Sequence, residues 1–595
     1  MQQVHFKETT YNGLQKLFVE LIIELCDFRS LDSYRARVAG PIYIIGELYH
    51  LIDDFKKNKI KSFETVLACK DEAHYILQYD DIIDYGRVSK ATLLEMLKNL
   101  KDEKASIEHN MQRIEFSLYY LLTTNEKYVE NLVEALEKVL LTPLPSPEQE
   151  DVNTQLIVKN VGFLVTELIN RGFAKAFIAR FCRSIFIHGE LITFDEAWKI
   201  FKSRITEKEK DAFSIVFKIT IPEKQIAELK VTDLKAALTI EDFPFVTDLK
   251  EIYNSEYLNP SKSTMFVLQN VEAYDHYEAL KEAKTRLGNV LDFIHIGHSD
   301  VRLDVRHSAL VINQNSPSKA GLQSLSFQID DSFKSNEESY INLYNKFSSI
   351  KKDGIVSKEA VAKIESAVRY LRAGNEAEEL EQKFLSYWIG LENIFSNHNA
   401  NTNTFVRIKK YMTVAHMVSY TKRNLHEFHR SLKRMDVAKL TPGYNDDLEY
   451  LLKEETYDGI VTLHDRSPLL AFRAKSVRST YFKGGDECKK TMQRHKLNLE
   501  RHLVRMYRIR NELVHNAAAF QNIENVTSNL RYYLFFVLNK TIEYFHGCKP
   551  KIIDNKPVDM DDFFLYQEML WDNIEKSDYE LRKLVHVPHP VKFII

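Results

Sequence analysis

Apolar residues recur at i, i+3, i+4 and i+7 along most of this chain, the spacing that lays one dry stripe along an α-helix. ATLLEMLKNL (91–100) and NLVEALEKVL (131–140) carry it, and residues 1–140 are expected to form an N-terminal helical domain. LTPLPSPEQED (141–151) then sets three prolines among polar residues. Proline lacks the amide hydrogen that a helix needs, so 141–152 is expected to be a linker. From 153 to 350 the pattern is mixed. LIVKNVGFLVTELINRGFAKAFIARF (156–181) reads as helix. FSIVFKITI (213–221), STMFVLQNV (263–271), HSALVINQ (307–314) and LQSLSFQID (322–330) are short, rich in β-branched and aromatic residues and bounded by polar turns, as strands are. DHYEALKEAKTRLGNVLDFI (275–294) between them is helical. The expectation is an α+β middle domain with a small sheet.

Helices return from 355 to 545, in segments such as SKEAVAKIESAVRYLRAG (357–374), FVRIKKYMTVAHMVSYTKRNLHEFHRSL (405–432), MQRHKLNLERHLVRMYRIRNELVHNA (492–517) and VTSNLRYYLFFVLNKTIEYF (526–545). Four or five such helices in sequence predict a bundle. Residues 546–595 add one more helix and an extended tail. The fold class is therefore mainly α, with a C-terminal helical bundle.

Composition agrees: 18 glycines and 14 prolines are few for 595 residues, and both residues break helices. Five scattered cysteines (Cys26, Cys69, Cys182, Cys488, Cys548) show no C-x-x-C spacing, which fits reduced thiols in a cytosol. The longest apolar runs, LFVELIIELC and VGFLVTELI, are interrupted by acids and fall short of the roughly 20 residues of a membrane span. A cytoplasmic protein without a membrane partner is expected. The net charge of -3 hides one local excess: between Ala471 and Arg510 there are twelve Lys/Arg against three acids. Such a patch is a candidate phosphate surface, although a solvated helix face has the same composition.

Projected at about 100° per residue, the helix from Met492 puts Leu499, Leu503, Met506 and Leu513 on one stripe, with Arg510 among them where an apolar residue would be expected. Arg494, Arg501, Arg505 and Arg508 form a second stripe suited to tracking a phosphate backbone, continued by Asn511 and His515. Arg510 and His515 lie about 140° apart on an ideal helix. They meet at one phosphate only if the helix distorts or a second subunit completes the site.

RNELVH (510–515) resembles the R-x-x-x-x-H signature of the HEPN superfamily. The upstream helix AVRYLRAGNEAEELEQKFLSYWIGLENIFS (367–396) resembles the first helices of an ApeA-like HEPN group, with Phe384, Trp388, Leu391 and Glu392 matching its aromatic-then-acidic pattern. The likeness covers about 355–545. It implies a HEPN bundle acting as a homodimer, a metal-independent endoribonuclease that takes RNA, tRNA included, with no cofactor. It also implies a role in anti-phage defence, with a phage-derived trigger sensed elsewhere in the chain. Carried over, it makes Arg510, Asn511 and His515 catalytic, Arg494, Arg501, Arg505 and Arg508 RNA contacts, and Glu392 and Tyr507 supporting neighbours. Arg508 also fits as R-x-x-x-x-x-x-H, so the choice between Arg508 and Arg510 stays open. The alternative is a non-catalytic HEPN-like module that binds RNA, a nucleotide or a protein partner, or a helical scaffold.

The residue types suit the chemistry. RNA carries its own nucleophile, the 2′-hydroxyl, so proton transfer by histidine and charge stabilisation by arginine suffice. No metal site is expected: neither His295, His298 and His307 nor HVPHP near the C-terminus has a Cys or carboxylate at ligand spacing. No P-loop, G-x-G-x-x-G or G-x-S-x-G occurs, and Phe384 and Trp388 are expected in the bundle core.

Overall fold

The computed structural model describes residues 11–586 except 28–29, 31–34, 36–38, 61–62, 102–106, 143–145, 190–192, 208, 221–234, 238–256, 258–263, 298–303, 317–320, 326–336, 398–401, 446, 517–522 and 549–556. The described chain is mainly helical, with one small sheet in its middle region. It divides into two compact units: residues 1–167, 192–194 and 329–595 form one, and 168–191 with 195–328 form the other. The N-terminal helices and the C-terminal bundle were expected as separate domains; they share one unit. The expected linker also starts a helix. Pro147 opens α7 (Pro147–Arg171), with the Ser146 hydroxyl accepting from the Gln149 amide at 3.4 Å. The first turn of a helix is where proline's missing donor costs nothing.

The second unit holds α8 (Lys175–Phe186), most of α9 (Phe194–Thr206) and α10 (His276–Gly297) with five antiparallel strands in the order β2-β3-β1-β4-β5. These are β1 (Asp211–Thr220), β2 (Lys235–Ala237), β3 (Thr264–Ala273), β4 (Asp304–Asn313) and β5 (Gly321–Ser324). Four match the strands read from the pattern, although 326–330 of the last lies outside the described residues. β2 has three residues, too few for a period of two to show. Phe213, Ile215, Phe217 and Ile219 alternate onto one face of β1 and bury against Ala279, Ala283 and Leu287 of α10, as side chains two apart must. The helix expected over 156–181 is broken at Gly172, whose φ of 105° breaks the helical path and which lacks the Cβ that makes such a φ costly. Asp275 ties the start of α8 to the start of α10, accepting from the amides of Ala174 at 2.7 Å and Tyr277 at 2.8 Å. Burial pushes its carboxyl up to about 6.

The first unit contains α1 (Gly13–Cys26), α2 (Pro41–Lys56), α3 (Phe63–Tyr79), α4 (Lys90–Asn99), α5 (Ile107–Thr124), α6 (Tyr128–Leu140) and α7. It continues with α11 (Glu337–Asp353), α12 (Lys358–Glu376), α13 (Leu380–Phe395), α14 (Thr413–Arg434), α15 (Glu454–Val461) and α16 (Pro468–Tyr481). The basic helix α17 (Gly485–Asn516), α18 (Ile523–Gly547) and α19 (Met560–Lys576) complete it. α12 and α13 pack as a hairpin against α18, with Phe384, Tyr387, Trp388 and Leu391 fully buried. The hairpin closes because Gly374 lets the Tyr387 ring in; a Cβ there would stand 2.3 Å from the ring.

Buried acids fasten the N-terminal helices to the C-terminal ones. Glu20 of α1 accepts from the Ser467 hydroxyl at 3.0 Å and the Leu469 amide at 2.9 Å, at the start of α16. Burial raises its carboxyl to about 7 against these two hydrogen bonds and the Arg473 charge. One turn on, Glu24 faces Arg473 at 3.4 Å, both side chains buried. An unpaired buried charge would cost several kcal/mol, so each of these contacts fixes how the helices dock.

Candidate active site

α17 is one continuous α-helix from Gly485 to Asn516, and its side chains divide between two directions. The first faces α2 and α3. Arg505, 6% exposed, donates to Glu47 through Nε at 3.0 Å and a terminal nitrogen at 2.7 Å, and to Glu72 at 2.6 Å. Arg508 pairs with the same Glu47 and, one turn along, with Glu512 at 3.4 Å. Burial alone would raise the Glu47 carboxyl, but the charges of Arg505 and Arg508 outweigh it and hold the group at about 2. Burial and the Glu47 charge together push the Cys69 thiol, 3.9 Å from that carboxylate, well above its ordinary range. Arg501 extends the same face, donating to the Asp71 carbonyl at 3.2 Å with its guanidinium over the Tyr75 ring.

This corrects the expected RNA-binding stripe. Arg505 and Arg508 are enclosed by acids of the N-terminal helices, and a guanidinium buried against a carboxylate has its charge already matched and little surface left for a phosphate to approach. Arg501 is partly engaged. Of the four, only Arg494 is exposed. The signal that was missed is the acid at Glu47, inside an otherwise apolar stretch of α2. Lone buried carboxylates need a cation, but sequence does not say which.

The second direction holds the motif. Arg510 is half-buried, 3.8 Å from Glu392 of α13, with its terminal nitrogen donating to the Asn511 side-chain oxygen at 3.2 Å. Glu392 and Arg510 are 118 positions apart in sequence and come together because α13 packs on α17. Tyr507, one turn before Arg510, lies face to face with Phe405, ring centroids 4.1 Å apart and planes 9° apart. Phe405 precedes the π-turn Ile408–Met412, a wide turn often found at functional sites. Phe405 was not anticipated; a lone phenylalanine at a helix start carries no distinguishing pattern. His515 is exposed near the C-terminal end of α17. α17 stays α-helical through both residues, so Arg510 and His515 of one chain keep their separation of about 140° around it.

With Arg508 held by Glu47, Arg510 is the arginine of the pair that shares its surroundings with Glu392, Asn511 and Tyr507. A second histidine group lies within the unit. His416 Nδ1 stands 3.0 Å from His495 Nε2, with the Arg423 guanidinium against the same ring. Burial lowers both imidazoles, His495 to about 3, so they are neutral packing groups and not proton donors at neutral pH. Among the described residues no group of three or more His, Cys, Asp and Glu could hold a metal ion. His307 is exposed, and His586 pairs with Glu449 at 2.8 Å; His298, His589 and the side chain of His295 lie outside the described residues. A cavity of about 890 Å³ between α1, the start of α7 and α16, lined by Leu17, His464, Phe472 and Lys475 among others, includes no residue of the motif. No described helix is long and apolar enough to cross a membrane.

No protein-family model, curated protein or solved structure matches this chain.

Proposed function

We propose that the chain is a HEPN-type endoribonuclease that cleaves RNA without a metal ion, with Arg510 binding the scissile phosphate, His515 moving the proton and Asn511 holding the Arg510 side chain. The observation that carries this reading is the partition of α17. Its neighbouring arginines are engaged by Glu47 and Glu72, whereas Arg510 stays half-open beside Glu392 and His515 lies at the surface. Arginine stabilises the charge that develops on the phosphorane oxygens, and an imidazole at the surface can both take up and give a proton. The 140° separation of the pair favours a site completed by a second copy of the chain, whose His515 would approach the first copy's Arg510. A homodimer, a cytoplasmic setting and release by a phage-derived trigger belong to the same proposal.

The test is incubation of wild-type, Arg510→Ala and His515→Ala protein with total RNA and tRNA in EDTA. Cleavage by the wild type alone, leaving 2′,3′-cyclic phosphate ends, supports the reading. Salt-sensitive RNA binding without cleavage, unchanged in His515→Ala, would instead favour a non-catalytic binding module.

A further inference from the structure

We infer that the Arg510 site takes an unpaired RNA base, stacked on the Tyr507–Phe405 pair while Arg510 holds the adjoining phosphate; this rests on the nuclease reading above. The two rings are parallel at 4.1 Å, and neither is buried. Arg510 and Asn511 follow Tyr507 by three and four residues, which puts all three on neighbouring positions of one helix surface. Trp388 stands behind the pair, its ring 6.0 Å from Tyr507. The π-turn that follows Phe405 is an independent sign of a local constraint at this place.

The chemistry names the substrate class. Aromatic side chains stack on base faces, and those faces are free only where the strand is unpaired; in a duplex they are covered by neighbouring bases. An arginine beside an aromatic platform supplies the phosphate contact that single-strand sites need. Arg501, Arg505 and Arg508, which would otherwise track a duplex backbone, face Asp71, Glu47 and Glu72. Among the described residues this face of α17 therefore offers one platform beside Arg510 and not a row of free arginines, which fits a loop or an end of RNA better than a helix.

The experiment uses full-length protein in EDTA and a 2′-O-methyl single-stranded oligonucleotide, which binds but lacks the attacking hydroxyl. Binding is measured for wild type, Tyr507→Leu, Tyr507→Phe and Arg510→Ala, with the intact oligonucleotide, with versions abasic at each position in turn, and with the duplex. The expected result is a wild-type loss of about 5- to 150-fold at one abasic position, and no tight binding of duplex. Tyr507→Leu should lose a similar factor on the intact strand and be indifferent to the abasic position, while Tyr507→Phe restores both. This coupling separates a base contact from a packing role, since a packing defect would weaken intact and abasic strands alike. If Tyr507→Leu keeps the wild-type abasic response while Arg510→Ala abolishes binding, the platform is wrong and the site stands. If Arg510→Ala also binds as wild type, or the wild type binds no strand, the nuclease reading falls with it.

Discussion

Replacing Glu47 with glutamine should destabilise the helical unit by about 3 kcal/mol at pH 7, and two independent routes give that size. Glu47 is the shared acceptor of Arg505 and Arg508, and its carboxyl lies at about 2 against an ordinary value of 4.5. A drop of that size, at roughly 1.4 kcal/mol per unit, is worth about 3 kcal/mol of folded-state stability. Separately, removing one member of a buried ion pair costs about 3–5 kcal/mol, because the partner charge stays buried; here Glu72 would be left to hold Arg505, and Arg508 would keep only Glu512. Glutamine keeps the shape, so the loss is electrostatic. The sign with pH follows from a depressed acid. The stabilisation is fully present above about 4.5 and disappears as pH falls from there towards 2. Denaturant unfolding read by tryptophan fluorescence checks it, because Trp388 and Trp571 both belong to this unit. The Glu47→Gln protein should show a lower midpoint at pH 7 and a flatter acid limb than the wild type. Adding Arg508→Met should then cost less than it does in the wild type, since it removes a cation that has lost its partner. A Glu47→Gln midpoint matching the wild type at pH 7 would refute the argument that Arg505 and Arg508 are held by this carboxylate.

Four further outcomes are expected. Glu20, raised to about 7, keeps its proton in the folded chain where the unfolded chain has lost it, so its contribution to stability falls as pH rises from about 4.5 to 7. Glu20→Gln should therefore gain in melting temperature relative to wild type at pH 8 but not at pH 5, and an equal difference at both would contradict this. Gly374→Ala, whose new methyl would meet the Tyr387 ring at 2.3 Å, should destabilise by about 1–3 kcal/mol, seen as a lower unfolding midpoint. Arg510→Ala removes one half-exposed ion pair at 3.8 Å, a contact worth about 0–1 kcal/mol. It should melt with the wild type while losing RNA cleavage, and a large drop in melting temperature would make Arg510 a structural residue. Asp275→Asn, which keeps an acceptor for one of the two amides, Ala174 or Tyr277, that bond to separate carboxylate oxygens, should be tolerated better than Asp275→Ala, as differential scanning calorimetry of the two variants would report.

Much of the architecture was legible in the periodicity. A helix whose apolar residues recur every three to four positions is recognisable without its neighbours, and so were α4, α6, α12, α17 and α18; the short runs of β-branched and aromatic residues at 213–221, 263–271 and 307–314 announced β1, β3 and β4. Local geometry that depends on one residue was harder. Gly172 splits a run that reads as one helix, and Pro147 begins a helix inside a segment that reads as a linker. In both cases the same residue type can end or start an element, and the outcome depends on which backbone hydrogen bonds the neighbours supply.

The sequence by itself determined that this is a mainly helical chain with a small sheet, and that one strongly basic helix ends in Arg510, Asn511 and His515. Those properties are set by residues within a few turns of each other. Only the tertiary structure decided which charges on that helix are available. A helical projection ranks Arg501, Arg505 and Arg508 together, but it has no term for Glu47 and Glu72, more than 430 positions from Arg505, and burial beside those acids is what separates Arg505 and Arg508 from Arg510. The same holds for the Phe405–Tyr507 pair and for Glu392 beside Arg510. Long-range pairing is fixed by how helices pack, so the surroundings of a motif are a property of the fold even when the motif can be read from the chain.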